Sequence, residues 1–173
     1  MKMIIRQEKA SDKNKVYEVV KSAFANEESS DHDEQNLVNR LRNSTSFVPE
    51  LSLVAEDDGN IVGHILFTEI KVKNDVLLAL APIAVSPNVQ GKKIGSKLIE
   101  EGHKIAKSKG YKGCVVLGHD KYYPKFGYQV ASKFNIKAPF EVPDENFMAI
   151  ELLDNGLKEV SGVVEYAKEF FEQ

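Results

Sequence analysis

The sequence predicts one mixed α/β domain over residues 1–173, and three observations predict it. The run Leu77 to Val85 is apolar on both faces, the pattern of a central strand covered on both sides. After it, Gly95, Leu98, Ile99, Gly102, Ile105 and Ala106 recur at the helical period, while Lys97, Glu100, Glu101, Lys104 and Lys107 point outward. Gly113 to Leu117 then reads as another apolar strand, and a strand, helix and strand of these lengths imply a parallel pair.

The remaining elements follow in order. Ile4 to Gln7 reads as a short strand, after which Ser11 or Asp12 can cap a helix whose apolar face is Val16, Val19, Val20, Ala23 and Phe24. The polar, acidic stretch Glu27 to Glu34 precedes a short helix carrying Leu37, Val38 and Leu41, and a loop runs from Thr45 to Pro49. Strands over Leu51 to Glu56, Ile61 to Val72 and Val76 to Val85 are separated by two hairpin-type turns, Asp57-Asp58-Gly59-Asn60 and Lys73-Asn74-Asp75. Gly110 ends the long helix, and Tyr122 to Phe126 forms a single helical turn before Gly127. Phe147 to Leu153 and Val160 to Tyr166 are further strands. Pro82 is the exception in its strand: a proline cannot donate to a ladder and occurs at bulges, so it marks an interruption of pairing.

Composition narrows the function. A chain of 173 residues with 42% hydrophobic and 28% charged residues has the balance of a globular domain with one core. Its formal charge of -3 does not supply the clustered basic excess of a nucleic-acid-binding face. The lone Cys114 excludes an internal disulfide and a multi-cysteine zinc site, fits a reducing, cytoplasmic setting, and sits in an apolar strand as a buried structural thiol. Neither a signal segment nor an apolar run of membrane-spanning length is expected, and no metal. Oligomeric state stays open, a homodimer included.

The stretch Gln90-Gly91-Lys92-Lys93-Ile94-Gly95-Ser96 combines two glycines, two lysines and a helix start. Unpaired backbone N–H groups and the positive end of the helix dipole favour a phosphate there, although these residues alone fit a solvated helix start equally well. It is not a nucleoside-triphosphate loop, because Gly91 and Gly95 are too close and no Lys-Ser/Thr pair follows the second glycine. It is not a dinucleotide fingerprint either, since the next strand ends in Gly118-His119 rather than an acid.

From Ala84 to Ile99 the chain resembles motif A of the GNAT (GCN5-related) N-acetyltransferases, whose pattern is Gln/Arg-x-x-Gly-x-Gly/Ala. Gln90 and Gly95 match it; Lys93 stands where the family has its first glycine, with a charge compatible with a phosphate ligand. The segments Val62 to Phe67, Val116 to Tyr128 and Glu141 to Ala149 are similar to the YhbS-type subgroup. The resemblance runs from Ile5 to about Tyr166. It implies an α/β (α+β) fold with a V-shaped mixed sheet flanked by helices, splayed beside its fourth strand to admit acetyl-CoA. By the same resemblance, the backbone of Ile83, Ala84 and Val85 binds the pantetheine arm, and Gln90, Gly91, Lys92, Lys93, Ile94, Gly95 and Ser96 form the pyrophosphate loop.

The implied reaction is direct acetyl transfer to a primary amine in a ternary complex. Tyr123 matches the tyrosine of the family's Tyr-x-x-x-Gly-Phe/Tyr motif, which implies a general acid for the departing thiolate; Tyr122 beside it can exchange roles. An oxyanion donor is implied among the backbone N–H groups of Ile83 to Val85. For the base, Glu69, His119, Asp120 and the acids between Glu27 and Glu34 stand as alternatives, each also readable as a solvated or hydrogen-bonded residue, as is His64. Those acids would suit a cationic acceptor, but acids near a helix start are favoured by the dipole in any case. An acyl-CoA-binding sensor with little catalysis is the second reading, motivated by Lys93.

Overall fold

The computed structural model describes residues 2–172. Strands β1 (Met3–Gln7), β2 (Phe47–Asp57), β3 (Asn60–Val72), β4 (Asp75–Val85), β5 (Gly113–Leu117), β6 (Gln129–Val130), β7 (Ile136–Lys137), β8 (Phe147–Glu151) and β9 (Gly162–Glu165) accompany helices α1 (Lys13–Phe24), α2 (Glu34–Arg42) and α3 (Ile94–Ser108). The sheet order is β1-β2-β3-β4-β5-β8-β6, with β9 pairing both β3 and β7. Neighbours from β1 to β4 are antiparallel, and β4 and β5 are the predicted parallel pair. This is the mixed, open sheet that the resemblance implied.

Leu78 and Leu80 of β4 and Ile65 and Phe67 of β3 pack in one cluster with Leu98 and Ile99 of α3. On the opposite face, Val16, Val20, Val38 and Leu41 from α1 and α2 cover Val54, Leu66 and Ala84. Leu77 and Ala79 join a third cluster with Val115 and Phe147. The double coverage of β4 explains its continuous apolar run. Helix α3 lies close to the sheet because Gly102 has no side chain: a Cβ there would stand 2.2 Å from Cε1 of Phe67.

Several boundaries differ from the sequence expectation. Residues 47–49, expected in a loop, begin β2, and its pairing with β3 is irregular between Phe47 and Ser52. A 3-10 turn over Ala10–Asp12 precedes α1. Asp12 takes the N-cap position of α1, but its side chain makes no capping bond there; its carboxylate accepts from the Lys9 N–H at 2.7 Å and pairs with Arg6 at 2.8 Å. Two-residue strands such as β6 and β7 carry too little periodicity to be read from sequence.

Beneath α2 lies a buried polar chain in which Arg42 pairs with Glu8, Ser52 Oγ donates to Glu8 Oε1 at 3.0 Å, and His64 Nε2 lies 3.0 Å from Ser52 Oγ. Because the Ser52 proton goes to Glu8, the consistent tautomer puts the His64 proton on Nε2. Burial lowers the pKa of His64 to about 4, and it does the same at His103, whose Nε2 meets Tyr128 Oη at 2.8 Å. Both folded values lie below the ordinary ~6.5, so this stabilisation is complete above pH ~6.5 and is lost as pH falls toward the folded value. The unfolding free energy from urea titration should fall over that interval, with a slope of up to ~1.4 kcal/mol per pH unit for each ring. His103→Gln should remove its share; an unchanged slope would contradict the burial argument.

Candidate functional site

The interruption predicted at Pro82 is present. Ile65 pairs with Ile83 and Phe67 with Leu80, so Ala81 and Pro82 together oppose the single residue Leu66 in a β-bulge. On its other edge, β4 pairs with β5 only through Leu78–Cys114 and Ala79–Val115. Beyond that point β5 follows β8, to which it remains paired as far as Leu117–Phe147. The sheet therefore opens between Leu80 to Val85 and the end of β5.

The open edge carries unused backbone groups. Ser86 N–H donates to Val62 O at 2.8 Å, so Ser86 and, by alternation, Ala84 turn their polar groups toward β3. Ile83 and Val85 consequently present theirs to the gap. Gln90 Nε2 reaches back to Val85 O at 3.3 Å and ties the following loop to this edge.

That loop crosses a 3-10 turn over Pro87–Val89 and enters α3 with two left-handed residues, Gly91 (φ +90°) and Lys93 (φ +61°, ψ +25°). Lys93 is the N-cap of α3, in the conformation that glycine adopts without a steric penalty. The backbone thus keeps a glycine-type shape with lysine in place, at a cost of about 1–2 kcal/mol for a side chain in this region. We expect Lys93→Gly to leave the melting temperature unchanged or raised. If the ammonium assists phosphate binding, acetyl-CoA affinity should fall several-fold; an unchanged or tighter dissociation constant in calorimetry would show that the charge contributes nothing.

A cavity of about 840 Å³ occupies the gap. Leu80 to Val85 form one wall; Gln90, Gly91 and Lys93 to Ser96 close one end; Leu117, Gly118, His119, Tyr122, Tyr123 and Lys125 form the other wall. Every residue predicted for the cofactor lines it except Lys92. The first two helices close the remaining side with Ala23, Phe24, Glu27, Ser29, Glu34 and Leu37.

Tyr123 is 7% exposed, with its ring edge-on to Tyr122 (5.1 Å between centroids) and to Tyr128 (5.8 Å). Burial raises its pKa, followed by repulsion from Tyr122 and Cys114, so the hydroxyl keeps its proton at neutral pH. Burial raises the pKa of Tyr122 against a smaller opposing effect of Ser96 at the start of α3, its hydroxyl stands over Gly95, and Lys125 Nζ lies 4.7 Å from its ring centroid. Tyr122 therefore faces the loop end of the cavity. Cys114 is fully buried, and burial pushes its thiol up to about 12.

The base alternatives separate. Glu69 does not line the cavity; its Oε2 accepts from the Tyr111 hydroxyl at 2.5 Å. Asp120 and His64 are also outside the lining, whereas His119, Glu27 and Glu34 belong to it. Glu34 is held by Ser30 Oγ at 2.6 and 2.7 Å, and Asp33 pairs with Arg40 at 2.9 Å beside a second cavity of about 290 Å³. Gly118, Lys125 and Asn146 escaped the sequence reading because their places depend on contacts between β5, β8 and the 3-10 turn over Tyr123–Phe126. Among the described residues no group of three or more His, Cys, Asp or Glu is placed to hold a metal, and no helix is long and apolar enough to cross a membrane.

Residues 49–130 match the model of the acetyltransferase (GNAT) domain family. The chain is 36% identical over 141 residues to the uncharacterized N-acetyltransferase YjhQ of Escherichia coli, covering 79% of this chain and 75% of that one. It is 31% identical over 140 residues to the uncharacterized N-acetyltransferase YhbS of the same organism, covering 79% and 83%. A crystal structure of YhbS in complex with CoA superposes with a TM-score of 0.90 at 28% identity, over 99% of this chain and 93% of that one. A GNAT family acetyltransferase from Brucella melitensis in complex with acetyl-CoA gives a TM-score of 0.82 at 30% identity, over 98% of each.

Proposed function

The chain belongs to the GNAT family of acetyltransferases, and from that premise we propose that it moves the acetyl group of acetyl-CoA to a primary amine by direct attack within a ternary complex. The observation that carries the proposal is the gap beside β4, where an unpaired strand edge, the start of α3 and a protonated tyrosine face one cavity. Two solved relatives hold CoA or acetyl-CoA. In this reading, backbone amides from Gly91 to Ser96 bind the pyrophosphate and Ile83 and Val85 bond the pantetheine arm as an added strand would.

The amine nitrogen attacks the thioester carbon, and the oxygen takes up negative charge facing the N–H groups of Ile83 and Val85. Collapse breaks the carbon–sulfur bond. The thiolate takes the Tyr123 proton, and the tyrosinate recovers one from the acylated ammonium through solvent, leaving an amide and free coenzyme A. A lysine-like amine of pKa ~10.4 is only ~0.04% neutral at pH 7, so a group must first accept its proton. His119, Glu27 and Glu34 line the cavity where that group belongs.

The sensor reading is motivated by Lys93, yet the backbone at that position keeps the left-handed shape a glycine would adopt. The test is a thermal shift with acetyl-CoA followed by coenzyme A release across small monoamines, polyamines, aminoglycosides and lysine peptides. Ligand at 100 times its dissociation constant should stabilise by about 2.7 kcal/mol. Turnover of any amine supports transfer; binding without turnover across the panel favours the sensor; no binding overturns both.

A further inference from the structure

We infer that Gly118 and Asn146 form a clamp that positions Tyr123 at the open end of the sheet. The inference rests on Tyr123 being the acid, and it assigns residues that act on the reaction through the position of the Tyr123 ring.

Three observations meet at Gly118. A Cβ on this residue would stand 2.3 Å from Cε2 and 3.0 Å from Cδ2 of Tyr123, so the ring lies flush against the Gly118 backbone and any side chain would drive it off. Asn146 holds the same residue twice: Gly118 N–H donates to Asn146 O at 2.9 Å, and Asn146 Nδ2 donates to Gly118 O at 3.1 Å. His119, the next residue, offers its carbonyl to the N–H groups of Tyr122 and Tyr123 at 3.1 and 3.5 Å, which leads into the 3-10 turn that Tyr122 caps and Tyr123 begins.

These contacts form one mechanical path. Asn146 ends the 3-10 turn over Asp144–Asn146, immediately before β8, and its N–H donates to Pro143 O at 3.0 Å. The ladder between β5 and β8 runs to Leu117–Phe147, and the clamp extends it one step further. It does so where β5 has lost β4, so at this point the strand is paired on its β8 edge alone. The Asn146 amide makes the clamp two-sided: a side chain lacking the N–H donor would leave Gly118 with the backbone bond alone. Because a displacement of about 1 Å at a reacting group can cost up to ~100-fold in rate, a flush seat under the ring is a means of control.

The test uses Gly118→Ala and Asn146→Ala in the full chain, each with Tyr123 and with Tyr123→Phe. It compares steady-state rates on the best amine of the release screen, together with 13C NMR of ring-labelled tyrosine. We expect each clamp variant to lower kcat about 10-fold, with KM for acetyl-CoA within ~2-fold, and to lower it no further once Tyr123 is phenylalanine. The Tyr123 ring signal should shift, and its ionisation should move down toward the ordinary ~10 as the ring leaves its buried seat. Asn146→Ala adds no atoms, so it carries the test if Gly118→Ala does not fold. Wild-type kcat in the clamp variants, or an equal further loss in the Tyr123→Phe background, would overturn the clamp. A wild-type rate for Tyr123→Phe alone would instead overturn the acid itself and, with it, the purpose assigned to the clamp.

Discussion

Tyr123→Phe is expected to lower kcat by about 100-fold or more, within the range general acids contribute, and to leave KM for acetyl-CoA nearly unchanged. Only the hydroxyl is removed. Phenylalanine keeps the edge-on contacts with Tyr122 and Tyr128 and the seat on Gly118, so folding and cofactor binding should persist. The deficit should appear in the single-turnover rate of acetyl transfer, because the lost proton is needed only when the carbon–sulfur bond breaks. Since burial raises the pKa of Tyr123, the wild-type rate should show no alkaline loss near pH ~10, where an ordinary tyrosine ionises. An unchanged chemical step would remove Tyr123 from the acid role.

The largest expected loss of stability comes from Phe67→Ala, at about 3–5 kcal/mol. Phe67 is fully buried on β3, and its ring fills the notch that Gly102 leaves in α3. Truncation deletes apolar contact and opens a void that neither a strand paired on both edges nor a 15-residue helix can close. Phe67→Leu should recover more than half of that loss, since it restores most of the volume. Urea unfolding at neutral pH measures both. A loss below about 1 kcal/mol for the alanine variant would mean that α3 settles onto the sheet without the ring.

What could be read from the sequence divides along physical lines. The apolar run at Leu77 to Val85, the heptad-like spacing from Gly95 to Ala106 and the turn residues near Gly59 and Asn74 are local patterns, and the elements built from them were predicted close to their observed limits. Pro82 was legible because a missing N–H is a property of the residue itself, and the bulge sits there. The conformation at Lys93 was not legible: a lysine gives no local sign of a left-handed backbone, which here is imposed by the entry into α3. Phe47 to Pro49 were misplaced because Pro49 suppresses the strand signal, while pairing with β3 begins at Phe47. Tyr123 was found by resemblance to a motif. Asn146, 28 residues from Gly118 along the chain, lies in a segment that carries the resemblance, but nothing there assigned it a role, because its partner is defined only once β5 and β8 are paired.

The central claim is that acetyl-CoA lies along the open edge of β4, with its pyrophosphate on the start of α3. Hydrogen–deuterium exchange of the full chain with and without saturating acetyl-CoA locates the ligand directly. The account predicts protection concentrated in residues 81–85 and 91–96 and in the segment 117–123. Protection confined to other surfaces, with these three stretches exchanging as in the free protein, would contradict it.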